Sequence, residues 1–294
     1  MLRTSPAVVV GIDGSQSATA AALWAIDEAV IRDLPLRLVF AMWPRQDPMS
    51  RSHDVVGEAV RAAIAAVEAS GKPVKLEAEI VHGRTALVLR AQSHGAAMMC
   101  LGSSGPARGG VGCSGSTVSA VASFKCPVAI IHSHSPSSGD PGWVVAEVGD
   151  SPAGELALRR GVDEALLRHA TLRIVATWQA RYTDIHDAHA RADRNRSVKA
   201  DWERRLSPWR ERYPELDAHA VATPGSVFNY LARHRQKIRL VVLPHERATE
   251  IAELLGPQGS PASRDICFDV LICESTTLAK HAERGADYAE AFIW

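Results

Sequence analysis

Most of the features that announce a function are missing from this chain. It carries no surplus of charge: 33 lysines and arginines balance 33 aspartates and glutamates. No net field therefore draws it toward nucleic acid or an anionic membrane. No apolar run approaches the roughly 20 residues that cross a bilayer, and residues 1–6 are too short for a signal peptide. Cysteine is scarce and odd in number; Cys100, Cys113, Cys126, Cys267 and Cys273 show no CxxC spacing. That argues against a disulfide framework or a zinc site and fits a reducing cytoplasm. His132-x-His134 and His186-x-x-His189 have no cysteine partners, so no metal site is expected. There is no G-x-x-x-x-G-K-[ST] and no G-x-S-x-G, which removes a Walker-type NTPase and a nucleophile elbow. The one basic cluster, Arg233, His234, Arg235, Lys237 and Arg239, falls where a helix should end, where cations complement its dipole.

What is present is a repeat. Val8-Val9-Val10-Gly11-Ile12 runs into Asp13-Gly14-Ser15, and Val144-Val145-Ala146-Glu147-Val148 runs into Gly149-Asp150-Ser151-Pro152. Short apolar runs of this kind suit strands buried on both faces of a parallel sheet. Each should lead into a helix, with Ser15 or Ser17 as one N-cap and Ser151 as the other, followed by Pro152 at the first helical position. Leu23, Ile26 and Val30 are expected on one helix face. The echo continues at the same offset. Ala25 to Arg32 is matched by Gly161 to Arg168, Leu36 to Val39 by Leu172 to Val175, and a tryptophan follows each (Trp43 and Trp178). Three echoes in register identify two copies of one unit in tandem.

Within the first copy, strand-like stretches (Val8–Ile12, Leu36–Ala41, Val74–Val81, Met98–Leu101, Val128–Ile131) alternate with helix-like ones. This spacing predicts α/β architecture: two tandem doubly wound, mostly parallel five-stranded sheet domains. The boundaries follow as residues 1–134, a Ser/Pro/Gly linker at 135–142, a second domain at 143–275 and a tail at 276–294. Pro44–Asp54 and Gln179–Asn195 read as polar loops after the second strand of each copy. Ligands of such sheets bind beyond the carboxyl ends of the strands.

The chemistry is expected after Met98–Leu101, in Gly102-Ser103-Ser104-Gly105-Pro106-Ala107-Arg108-Gly109-Gly110-Val111-Gly112-Cys113-Ser114-Gly115-Ser116-Thr117. Glycines at this density leave backbone N–H groups unshielded and allow them to converge on an anion. A helix starting near Ser116 would add its own N–H groups, and Ser116 and Thr117 their hydroxyls. Gly110-x-Gly112-x-x-Gly115 matches the dinucleotide fingerprint only literally; it begins well past the strand and has no acidic residue about 20 positions on.

Gly102-x2-Gly105-x9-Gly115-Ser116, paired with Asp13 at the end of the first strand, resembles the ATP-binding signature of the universal stress protein family. Gly11-Ile12-Asp13-Gly14-Ser15 is similar to its opening motif and Cys126-Pro127-Val128-Ala129-Ile130 to its closing strand. The resemblance covers nearly the whole chain, as the tandem form. It implies an adenine nucleotide alpha hydrolase-like fold and ATP, with or without magnesium, lying across the strand ends. Asp13 would lie near the ribose and the backbone around Ala41 near the adenine, with Gly11, Ile12, Gly14 and Ser15 also at the nucleotide. Gly102, Gly105, Gly115, Ser116 and Thr117 would surround the phosphates, with Ser103 and Gly112 also counted as nucleotide-binding and Arg108 supplying a charge where the family usually has one two positions earlier. The resemblance further implies stress adaptation, a homodimer and an unidentified protein partner.

The second copy departs from this pattern. Aligning Leu240–Leu243 with Met98–Leu101 sets Pro244 at Gly102, Arg247 at Gly105, and Pro257 and Gln258 at Gly115 and Ser116. Proline has no N–H to offer and arginine crowds the backbone, so this copy is not expected to hold ATP as the first does. Gly149 stands at the position of Asp13, with Asp150 beside it. Three readings stay open: a regulatory ATP-binding protein, a slow ATPase, and a scaffold that binds no nucleotide. A lone carboxylate beside a phosphate loop lacks the positioned nucleophile that efficient transfer needs, so at most weak hydrolysis is expected. Leu278, Ala282, Phe292, Ile293 and Trp294 form an apolar tail suited to packing on the body or on another subunit.

Overall fold

The computed structural model describes residues 6–42, 53–103, 120–132, 142–179, 187–255 and 268–275. In the first copy, strands β1 (Ala7–Ile12), β2 (Leu36–Met42), β3 (Leu76–His82), β4 (Ala96–Gly102) and β5 (Val128–Ile131) lie in the order β3-β2-β1-β4-β5. Helices α1 (Gln16–Ile31), α2 (His53–Ala69) and α3 (Thr85–Gln92) connect them. In the second copy, β6 (Trp143–Val148), β7 (Thr171–Trp178), β8 (Ala218–Pro224), β9 (Ile238–Leu243) and β10 (Asp269–Ile272) lie in the order β8-β7-β6-β9-β10. The helices here are α4 (Pro152–Arg168), α5 (Ala188–Arg212), α6 (Val227–His234) and α7 (Ala248–Leu255). Within each copy every described strand pairing is parallel. Two doubly wound five-stranded arrangements result, as the alternation predicts.

The repeat extends to an irregularity. The β1–β4 register shifts between Ala7 and Val8, and the β6–β9 register shifts between Trp143 and Val144, one repeat length on. Central strands are buried throughout: every residue of β1, and Val144 to Val148 of β6. The helix starts obey their caps. Ser15 Oγ accepts from Ala18 N at 3.1 Å, and Ser151 Oγ accepts from Gly154 N at 3.1 Å. Each cap satisfies one of the N–H groups left over at a helix start.

The echoed Glu28–Arg32 and Glu164–Arg168 prove to be ion pairs of a buried carboxylate with a half-buried arginine. The Glu28 carboxylate is fully buried and meets Arg32 at 2.5 Å; Glu164 pairs with Arg168 in the same way one repeat on. Two expectations change. Of the three residues predicted to share a face of α1, only Ile26 is buried, while Leu23 and Val30 are 41% and 39% exposed. The buried face is built instead from Ala18, Ala21, Ala22, Ala25 and Ala29, because small side chains let the helix approach the sheet closely. The polar segment after β7 is not loop to Asn195. Asp187 caps α5, accepting from His189 N and Ala190 N, and the helix runs from Ala188.

The described residues fall into two compact units. The first comprises β1 to β5, α1 to α3 and also α7; the second comprises β6 to β10 with α4 to α6. In the first unit α7 packs against the short 3-10 turn Val121–Ser123, with Ala248 and Ile251 buried.

Candidate functional site

At the carboxyl ends of β1 and β2 a small cleft opens to solvent, lined by Gly11, Ile12, Asp13, Val39, Phe40, Ala41, Thr85 and Leu89. Four of the residues expected from sequence (Gly11, Ile12, Asp13 and Ala41) meet there. Their convergence follows from the register: Gly11 pairs with Val39 and Ile12 with Phe40, so the two strands end side by side. β3 ends beside them, since Gly83 N donates to Met42 O at 2.9 Å and carries the chain directly into α3. That brings Thr85, the first residue of α3, and Leu89, one turn further, to the cleft wall.

Gly11 lets the Leu101 and Leu89 side chains approach the strand end. A Cβ here would lie 2.9 Å from Leu101 Cδ2 and 3.4 Å from Leu89 Cδ2. Asp13 shapes the turn as well as lining the cleft, because its Oδ1 accepts from Ser15 N at 2.9 Å. This is the local capture of backbone that aspartate makes in turns. Ser15 is committed to capping α1, and Gly14 is exposed on the turn between the two.

Gly102 has a packing role of its own. A Cβ on it would come within 2.6 Å of the Ser17 backbone and 2.7 Å of Ala18 N, so only glycine lets the first turn of α1 close on the end of β4. Ser103 follows, its N–H donating to Ile131 O at 2.8 Å. Gly105, Arg108, Gly112, Gly115, Ser116 and Thr117 lie outside the described residues, as do His134, His186 and the 135–141 linker. Among the described residues no cluster of histidine, cysteine or acidic groups suits a metal ion, and no helix is long and apolar enough to cross a membrane.

Thr85 and Leu89 are cleft residues that sequence reasoning misses. The Gly83-Arg84-Thr85 turn at the carboxyl end of β3 is the signal that would nominate them, by the same strand-end rule that nominates Ala41.

The cleft can do specific things chemically. Its mixed lining of small apolar groups and backbone suits a flat ring. The Asp13 carboxylate can accept hydrogen bonds from sugar hydroxyls, and the neighbouring strand β4 ends in Gly102.

The second copy presents different groups at these places. β6 pairs with β9 through Val144 and Leu240, as β1 pairs with β4 through Val8 and Met98. Pro244 therefore follows β9 where Gly102 ends β4, and Arg247 is held by Glu250 at 2.8 Å.

Residues 6–132 match the model of the universal stress protein family. Two curated universal stress proteins of Mycobacterium tuberculosis align over most of both chains. Rv2028c is 36% identical over 276 residues, 91% of this chain and 95% of its own length. Rv3134c is 39% identical over 268 residues, 87% and 94% respectively. Among solved structures, a universal stress protein from Archaeoglobus fulgidus covers 92% of this chain and 97% of its own, with a TM-score of 0.58 at 12% identity. A universal stress protein in complex with cAMP covers 44% of this chain and 98% of its own, with a TM-score of 0.34 at 26% identity.

Proposed function

The chain belongs to the universal stress protein family, and from that premise we propose that it is an ATP-binding regulatory protein. The nucleotide is held by the first copy (residues 1–134), and the second (143–275) serves a structural or dimerising role. The observation that carries this reading is the convergence of Gly11, Ile12, Asp13 and Ala41 on one cleft at the strand ends. Adenine fits between the end of β2 and the α3 wall, with Thr85 at the rim. Asp13 takes the ribose hydroxyls, and the segment from Gly102 onward takes the phosphates through its backbone N–H groups and the hydroxyls of Ser116 and Thr117. Gly105, Arg108, Gly112 and Gly115 belong to this phosphate side. Ligand state then acts on shape or partners rather than through turnover, because a single carboxylate beside a phosphate segment does not by itself supply the positioned nucleophile that efficient transfer needs.

The test is to purify the chain without added nucleotide, denature it and identify released adenine nucleotides by chromatography. Gly105→Arg, which copies the second copy's residue at that position, is run beside it. Intact ATP released from the parent and lost in the variant is the expected result. A parent that carries none and takes up none when ATP is added defeats the reading. Release of ADP with turnover under magnesium would replace it with the ATPase.

A further inference from the structure

The strand registers superimpose the two copies residue by residue at the end of their first strands. Gly11 pairs with Val39 as Glu147 pairs with Val175, and Val10 pairs with Cys100 as Ala146 pairs with Val242. Glu147 therefore occupies the strand position of Gly11. In the first copy that position lines the cleft, and a Cβ on Gly11 would meet Leu101 Cδ2 at 2.9 Å and Leu89 Cδ2 at 3.4 Å. The counterparts, Leu243 and Leu231, are buried, and Glu147 itself is 5% exposed. A buried carboxylate-bearing side chain thus stands in the second copy at the position where the first, lining its cleft, has no side chain.

A second contact differs in the same sense. Gly14 adopts a φ of +83°, and a Cβ on it would lie 3.2 Å from Ala59 Cβ on α2. Its counterpart Asp150 is tied to Arg205 of α5 at 2.7 Å, and the Arg205 guanidinium lies 4.3 Å from the centroid of the Trp202 ring. The turn after the first strand meets the following long helix through two small residues in one copy and through an ion pair in the other.

We propose that the second copy's cleft is filled by the chain itself, with Glu147 at its floor and Asp150–Arg205 at its rim. The residue at the Gly11/Glu147 position decides whether a copy admits a nucleoside. The proposal rests on the nucleotide reading of the first copy and goes beyond the loss of the glycine loop. Losing the loop removes phosphate binding alone. Glu147 also removes the room for base and ribose, so the second copy refuses even adenosine, which has no phosphate to place.

The test is equilibrium dialysis of the full-length chain against radiolabelled ATP and, separately, adenosine, for the parent, Gly11→Glu and Glu147→Gly. Thermal unfolding is followed for each. The parent is expected to take one equivalent of either ligand. Gly11→Glu should take none while unfolding cooperatively, as the second copy already accommodates glutamate at this position. Glu147→Gly should gain a second equivalent of adenosine but not of ATP. Two equivalents of adenosine on the parent, binding retained by a folded Gly11→Glu, or a Glu147→Gly that stays at one equivalent would each overturn the proposal. Should Gly11→Glu fail to fold, Glu147→Gly decides alone, since it leaves the first copy untouched. A parent that binds neither ligand defeats the nucleotide reading itself, and this inference with it.

Discussion

His234 ends α6 among an unusual set of neighbours. Its ring lies 5.6 Å from Trp143 and 4.4 Å from Tyr230, while Arg173 and Lys237 sit over the Trp143 ring at 4.3 and 5.1 Å. Burial holds the histidine below its ordinary pKa of 6.5, and the charges of Lys237, Arg173 and Arg233 push it the same way. The sign of the consequence follows from linkage. As pH falls, the unfolded chain binds this proton before the folded one does, so stability drops as pH passes below about 6.5. His234→Gln should therefore flatten the decline in thermal midpoint between about pH 7 and about pH 5. Parallel curves for parent and variant across that window would show that the site does not titrate as described. Asp217 acts in a lower window. Its pKa is depressed by the Thr171 hydroxyl first, then by His219 and Arg173, so its contribution is lost only as pH falls through the carboxylate range.

Packing of one element on another decides more than any single side chain in the first unit. The amino end of α1 rests on the end of β4 at the one point where Gly102 has no side chain. Gly102→Ala should push the two apart and cost about 1–3 kcal/mol, the usual penalty for overpacking. Chemical denaturation measures it, and an unchanged midpoint would mean that the turn relaxes freely. Elements were the legible level of this sequence. The strands of the first copy lie within about two residues of where apolar runs and turn residues put them, as boundary placement normally allows. Ser15 and Ser151 cap the helices that follow.

The misses at this level have physical causes. Helical periodicity favours the bulkiest residues for the buried face, whereas a helix lying close on a sheet buries alanine and leaves Leu23 and Val30 outside. The polar composition of α5 hides its start, and only Asp187 with its two accepted N–H bonds marks it. For the cleft, Gly11, Asp13 and Ala41 were readable because they sit in or beside strand ends. Thr85 was not, because what brings it there is a backbone hydrogen bond from Gly83 to Met42. Glu147 was hidden for a related reason: a glycine inside a strand attracts no notice until the neighbours of its absent side chain are known.

At the scale of the whole molecule, sequence copies and compact units do not coincide. The second copy contributes α7 to the first unit, where Ala248 and Ile251 are 1% and 2% exposed. A fragment comprising residues 1–141 should be less stable than the same unit in the intact chain. The loss is on the order of 2 kcal/mol, about one buried aliphatic side chain. Limited proteolysis and thermal unfolding of fragment and full chain would measure this. Equal resistance would mean that α7 adds nothing to the unit it packs on.

The path of the chain through α7 also bears on how the protein is made. A ribosome delivers residues in order, and domains commonly fold as they emerge. Here β5 ends at Ile131, yet the helix that packs against the Val121–Ser123 turn begins at Ala248. More than a hundred residues must leave the exit tunnel between those events. The first unit thus spends that stretch of synthesis with an apolar surface uncovered, and β10 of the second unit is still to come when α7 finally arrives. Completion of either half waits for residues that follow Arg247. A stalled or truncated product should therefore be a substrate for chaperones rather than a working half-protein.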